Sequence, residues 1–442
     1  MSLKEFCKKR ANIIIMIAVL AIYICLTLSS SSFVNFNHDE VHAWNIASNF
    51  GFFDIVRLMR SEGHTFVWFM LMKPFTGFSI FAIKWLNWAF TFSAVLLLWL
   101  FSPFKLPEKI LITFSCPFLL IYPVVARCYG IGFLLLFAIA VLYKRRFEHP
   151  VWYAILIFFA ANTSLMAAIP ALVLGLFFGI ELIIKKKFLP VLILFLAPLS
   201  LYIQWHNPII PAYSDEYLFL PRVIDFLFGN FKYSWCASWA KVVYPLMFIA
   251  SLLFFRGKAL GFWLLSSASL LAVFAFAYCG FDYHFYFFYV YLILAYWINS
   301  GNKYREFFIA VFCTLSMLYC FKTVDNVWHF KTYYRENAQC IMSAVEKGAT
   351  IYTTLYDHNV LVPYLGKEPL KDFSGSPLLS FENFQTIYTD KRQELDLEAL
   401  YKIAPSKSYL LIKSSLADGL KLDSTDKNRY KECGDDILYR FK

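Results

Sequence analysis

Long apolar runs, each broken by a short cluster of charge, recur from residue 11 to residue 321 and then stop. A helix needs about 20 apolar residues to cross a bilayer core, with a range of roughly 17–25. On that measure the runs at 11–31, 79–101, 109–127, 128–143, 150–166, 168–184, 188–205, 242–255, 259–278, 284–299 and 306–321 predict eleven crossing helices. The two runs that meet at Arg127 have the least connecting loop. The segment 64–76, HTFVWFMLMKPFT, is too short to cross; it is predicted to lie in the interface and to end at Pro74. Two polar stretches are long, 32–78 and 206–241, and the second, with HNPIIPAYSDEYLFLPR, is expected to cover the mouth of a site.

From about residue 322 the periodicity changes. Lys, Asp, Glu, Ser and Tyr become common, and short β-like runs (Thr350–Thr354, Tyr409–Lys413, Ile437–Phe441) alternate with helix-like ones (Tyr333–Glu346, Leu395–Ile403). The expected architecture is an all-α polytopic membrane bundle over 1–321, followed by a small α/β domain over 322–442. No internal repeat or low-complexity segment is present.

Composition sharpens this picture. The chain is 60% hydrophobic and 16% charged, against about 45–50% and 25% in soluble domains. A net charge of +11 raises the question of nucleic acid. The basic residues, however, sit in short clusters between apolar runs, the pattern of loops that set topology, and no nucleic-acid partner is expected. With the N-terminus cytoplasmic, the inner loops carry sixteen Lys and Arg and the outer loops before residue 322 carry seven. That asymmetry fits eleven spans in a plasma (bacterial inner) membrane, with the C-terminal domain extracytoplasmic. The apolar start, MSLKEFCKKR and onward, has no small-x-small cleavage site and reads as an uncleaved first span. Ten cysteines show no CxxC pair; Cys25, Cys116 and Cys313 fall inside apolar runs and read as small buried hydrophobes.

The ionisable residues gather at one place. The stretch His38–Trp68, HDEVHAWNIASNFGFFDIVRLMRSEGHTFVW, holds Asp39, Glu40, Glu62 and three histidines, His38, His42 and His64. Such a cluster at the mouth of an apolar bundle is a candidate site. A carboxylate there, Asp39 or Glu40, can take the proton of an attacking hydroxyl, while Asp39 can equally cap the helix expected from Val41. His38 and His42 share a helical face, and with Asp39 they are candidate ligands for a divalent metal ion; the plainer reading is hydrogen-bonding interfacial histidines. Glu62 and His64 flank Gly63 where the loop turns back, and could contact a sugar. Lys84, Arg127 and His284 lie at outer span ends. Charge at that depth usually faces a partner, and a lipid phosphate suits Arg127 and Lys84, though Lys84 could simply snorkel.

These residues carry a resemblance. DEVHAW…EGHTFVWF resembles the first outer loop of GT-C glycosyltransferases, in particular the bacterial relatives of protein O-mannosyltransferases and the lipid A aminoarabinose transferase. Those carry an Asp-Glu pair after the first span and then a motif of the type EGHPPLWY. Their next span opens with a basic residue, as in SIFAIKWLNWAF. An Arg-x-Tyr element is similar to Arg127-Cys128-Tyr129, and a late RHxG element is similar to Tyr283-His284. The sequence departs from the pattern at Thr65 and Phe66, where prolines are usual, and at Tyr283, where Arg is usual. The resemblance implies a polyprenyl-phosphate-sugar donor, inverting transfer, and a glycan, lipid or protein acceptor beside surrounding membrane lipids. It implies Asp39 as base or acceptor-positioning carboxylate, and phosphate contacts from Arg127 and Lys84. A polysaccharide polymerase or ligase, and a flippase or transporter, are the alternatives.

Overall fold

A computed structural model describes residues 3–33, 36–206, 249, 255–276, 284, 286–299, 334–365, 369–386, 395–417 and 430–440. The expected span 306–321, nearly all of 242–255 and the loop 206–241 past His206 lie outside the described residues, as does the expected domain boundary near 322.

The N-terminal part is helical: α1 (Leu3–Phe33), α2 (His38–Asn49), α3 (Phe52–Leu58), α4 (Phe66–Met72), α5 (Ala82–Phe101), α6 (Leu106–Thr113), α7 (Tyr129–Leu142), α8 (Pro150–Ala161), α9 (Leu165–Ile184), α10 (Phe188–Trp205), α11 (Gly257–Phe276) and α12 (Phe287–Ile298). Five of these helices are long and apolar enough to cross a membrane: Arg10–Ser31 within α1, then α5, α9, α10 and Gly257–Phe274 within α11. They coincide with the runs at 11–31, 79–101, 168–184, 188–205 and 259–278. Their outward faces are apolar: Ile14, Ile17, Ile184, Phe188 and Phe195 are all exposed. Faces of that kind belong against lipid. At 128–143, 150–166 and 284–299 the described helices have 14, 12 and 12 residues, short of a full crossing length.

One expected span is not a continuous helix. The run 109–127 becomes α6, a π-helical turn at Pro117–Ile121, and a stretch of turns up to Arg127. Pro117 and Pro123 explain the break, because neither has an N–H to donate and each ring crowds the preceding turn. Backbone polar groups left over in an apolar bundle must be met from elsewhere. Here α5 meets them. Asn87 Nδ2 donates to the carbonyls of Tyr122 (2.7 Å) and Val125 (3.1 Å), and Lys84 Nζ donates to that of Val124 (3.0 Å). Helix α7 then packs against α5 at Gly130, where a Cβ would lie 2.5 Å from Asn87 Oδ1 and 2.9 Å from its backbone oxygen.

The segment 64–76 forms α4 and one 3-10 turn at Lys73–Phe75, with Pro74 inside the turn rather than at its end. Lys73 Nζ reaches back to the carbonyls of Ala47 (3.1 Å) and Phe50 (2.6 Å) and closes the C-terminus of α2, where a cation also suits the helix dipole.

The C-terminal part is α/β. Helix α13 (Tyr334–Ala344) precedes a five-stranded sheet of β1 (Thr350–Tyr352), β2 (Leu370–Lys371), β3 (Ser408–Lys413), β4 (Tyr430–Cys433) and β5 (Asp436–Arg440), ordered β2-β1-β3-β5-β4. β1 runs parallel to β2 and β3; β3–β5 and β5–β4 are antiparallel. The run YLLI in β3 is buried on both faces, as expected of a central strand. Cys340 and Cys433 form a disulfide that ties α13 to β4; of the cysteines expected to be small buried hydrophobes, Cys116 is buried and Cys25 is exposed.

Candidate active site

Asn37 starts the site. Its side chain accepts from the Glu40 amide (2.8 Å) while Glu40 Oε2 accepts from the Asn37 amide (2.8 Å), a reciprocal cap that opens α2 at His38. Asp39 therefore does not cap the helix, which begins three residues before Val41. Its carboxylate sits in the first turn, where the helix dipole favours a negative charge.

Glu40 is turned inward and only 1% exposed. Its Oε1 accepts from Lys84 Nζ (2.7 Å) and from the Ala126 amide (2.5 Å). Lys84, 4% exposed, also lies 5.1 Å over the Phe36 ring. Where the sequence leaves Lys84 either snorkelling or touching a lipid phosphate, the structure gives it a buried carboxylate, a carbonyl and an aromatic face. The pair is a strut between α2, α5 and the irregular stretch before Arg127. Glu40 has both oxygens committed and is poorly placed to act as a base.

One residue along α2, Asp39 remains partly open. Arg127 Nη1 donates to Asp39 Oδ2, and Arg127 Nη2 meets His64 Nε2. His64 Nδ1 is 3.4 Å from Cys128 Sγ. Beyond it, Tyr129 packs edge-on to His64 (5.9 Å between rings) and its hydroxyl lies 2.7 Å from His284 Nε2. Asp39, His64, Arg127, Tyr129 and His284 thus form one connected cluster, drawn from α2, the loop before α4, the start of α7 and the approach to α12. Burial opposes ionisation of Asp39, but Arg127 and then His38 outweigh it, so its carboxyl is held well below the usual carboxylate range. Burial and then Arg127 hold His64 well below the ordinary histidine value. A neutral His64 accepts from Arg127 at Nε2 and carries its proton on Nδ1, toward Cys128.

The loop with Glu62 and His64 is docked, not free. His64 bridges to Ser164, the Val67 amide donates to the Asn162 carbonyl (3.3 Å), and the Phe66 amide donates to Gln204 Oε1 (2.9 Å). Glu62 Oε1 lies 2.6 Å from His42 Nε2, both nearly buried. His42 therefore faces Glu62 while Asp39 faces Arg127. The set His38, Asp39 and His42 does not converge as metal ligands, and no group of three such side chains does so among the described residues.

Three contributors are unexpected from the sequence. Asn87 and Asn359, the latter with its carbonyl accepting from Asn45 Nδ2 (3.1 Å) and its side chain 3.3 Å from His42 Nδ1, carry no motif. Asn37 does: an Asn three residues before a Glu is a legible helix start. Tyr334 and Tyr364 of the C-terminal part also feel this site. Burial raises the Tyr334 phenol, with Asp436 and Asp39 adding to it; burial raises that of Tyr364, Arg335 opposes, and Glu336 and Glu40 add.

No family model matches the chain, and no curated protein or solved structure matches it either.

Proposed function

We propose that the chain is a membrane-embedded inverting glycosyltransferase of GT-C type, moving a sugar from a polyprenyl-phosphate donor to an acceptor hydroxyl at the outer face of a plasma membrane. The observation that supports it is the single cluster of Asp39, His64, Arg127, Tyr129 and His284, assembled from distant parts of an apolar chain. In this reading Arg127 is the donor-phosphate residue. When phosphate arrives, the guanidinium turns part of its fork from Asp39 to the phosphate, which suits bidentate oxygen recognition. Asp39 then loses the charge that depresses its basicity and can take the proton of the acceptor hydroxyl. The hydroxyl oxygen forms a bond to the anomeric carbon from the face opposite the phosphate. The carbon–oxygen bond to phosphate breaks, its electron pair leaves on the phosphate, and Arg127 balances that charge. Glu40 and Lys84 hold the frame. The Cys340–Cys433 disulfide favours an oxidising, extracytoplasmic side for the C-terminal part, on the same side as Asp39.

The test is to delete the gene and find the surface or membrane glycan that loses one sugar, then to complement with the wild type and with Asp39→Asn. Restoration by the wild type alone supports the reading; equal restoration by Asp39→Asn sinks it. Movement of a lipid-linked sugar across sealed vesicles with no glycosyl bond broken would replace it with a transporter.

A further inference from the structure

We propose that the end of the bundle away from Asp39 binds anionic phospholipid, with Lys185, Lys186 and Lys187 on the phosphate and the acyl chains laid along α9 and α10. Helices α7 and α9 both start at the cluster, α7 at Tyr129 and α9 beside Ser164, which bridges to His64. The length of α9 puts its far end about 30 Å away, the thickness of a bilayer's hydrocarbon core. Cations gather there. Arg146 Nε and Nη2 donate to Glu181 (both 3.0 Å), and Lys258 pairs with the same carboxylate. Lys185 Nζ lies 3.6 Å over the Phe147 ring, and Lys187 Nζ donates to the Phe147 carbonyl (3.4 Å). One acid thus serves two cations, while Lys185, Lys186, Lys187 and Arg256 pair with no carboxylate among the described residues.

Two observations favour a lipid. The first is continuity. On either side of the lysines in the chain, Ile184, Phe188 and Leu189 are exposed, and the apolar face runs on along α10 through Leu192 and Phe195. A phosphate that carries acyl chains satisfies the charged and the apolar surface together; a free phosphate satisfies only the first. The second is the backbone. Helix α9 ends with the Lys187 amide on the Leu182 carbonyl (2.9 Å) and the Lys186 amide on the Ile183 carbonyl (3.0 Å). A helix end of this kind turns through a left-handed residue, usually glycine. Lys186 holds that place, with φ 56°, although its Cβ crowds the next carbonyl there. Orienting the chain in a membrane asks only for positive charge somewhere in this loop. It does not ask for charge at the strained position, which glycine fills with less strain. Strain kept at one side chain points to a use for that side chain, and basic pockets between membrane helices suit anionic headgroups. The binding stands independently of the transfer reading.

The test places the full-length protein in phosphatidylcholine vesicles and reads, by electron spin resonance, how strongly it holds spin-labelled phosphatidylglycerol relative to spin-labelled phosphatidylcholine. The wild type should prefer the anionic lipid by about fivefold or more, the effect of one or more cations on a headgroup. The preference should fade in about 1 M salt. Changing Lys185, Lys186 and Lys187 together to Gln should abolish it, and changing them together to Arg should keep it. Changing Lys371, Lys402 and Lys431 of the C-terminal part to Gln, an equal loss of charge elsewhere, should also keep it. Because the triple Gln variant could fail to insert, Lys186→Gly provides a second measure: it relieves the backbone, so the protein should melt higher while its preference for phosphatidylglycerol falls. No preference in the wild type, or one that survives both the triple Gln variant and Lys186→Gly, overturns the proposal. Displacement of the labelled lipid by glycerol phosphate at matched ionic strength also overturns it, in favour of a site for soluble phosphate. None of these measurements needs turnover, so failure of the transfer reading leaves this result to stand or fall by itself.

Discussion

Lys84→Met removes the cation from a pair that is almost wholly out of solvent, 5% and 1% exposed by side chain. Breaking a buried ion pair from one side costs about 3–5 kcal/mol, because the remaining charge is left without a partner. Here Glu40 would keep only the Ala126 and Asn37 amides, and the Val124 carbonyl would lose its donor, an orphan worth about 1–3 kcal/mol. These terms overlap, so the expected loss is about 4 kcal/mol. Glu40→Gln alone should cost a similar amount by stranding Lys84. The double variant should cost much less, under about 2 kcal/mol, because no charge stays buried and the Gln oxygen still accepts from Ala126. Equilibrium unfolding in mixed micelles, followed by tryptophan fluorescence, gives the cycle. Single losses under about 1 kcal/mol, or additivity within about 0.5 kcal/mol, would refute the strut.

If the proposed transfer holds, Arg127→Ala should weaken donor binding far more than acceptor binding; an unchanged dependence on donor concentration would contradict the proposed phosphate contact. Gly130→Ala should destabilise by roughly 1–3 kcal/mol by pushing α7 off Asn87, read from the same unfolding curves. Acid should unfold the C-terminal part through Asp436. Burial raises its pKa, but His358 and Lys413 outweigh that and bring it down to about 2 from an ordinary 3.8. A lowered folded value means the stabilisation, about 2 kcal/mol, is present above pH ~4 and is lost between pH ~4 and ~2. Asp436→Asn should flatten that limb in an acid titration of resistance to pepsin, a protease active in that window. Reducing Cys340–Cys433, 93 residues apart, should cost about 4.7 kcal/mol by loop entropy and raise amide exchange in α13 and β4.

What the sequence makes legible follows from which forces are local. Apolar runs report α1, α5, α9, α10 and α11 well, because span length is a property of the run itself. β1, β3 and β5 fall on the predicted runs; β2 and β4 do not, since two and four residues paired at an edge carry little pattern. The cluster around Arg127 is half visible. Ionisable residues in an apolar chain announce themselves, but whether they face phosphate or each other is decided by partners far away. Lys84 is the clear instance: by sequence it stands at the mouth of a span, and by structure it is spent on Glu40 and Val124. The break before Arg127 is written in Pro117 and Pro123, yet a hydropathy window averages over them.

In the stretch from Tyr122 to Val125, the carbonyls of Tyr122, Val124 and Val125 accept from Asn87 and Lys84 on α5, and that of Val125 also from the Arg127 amide. Such a segment has no address of its own; it goes where its hosts go. Arg127, at its end, inherits that dependence, so side chains on α5 that never approach a ligand can still displace the guanidinium. A mutational scan would then flag Asn87 as sensitive, and the sensitivity would belong to Arg127 by proxy.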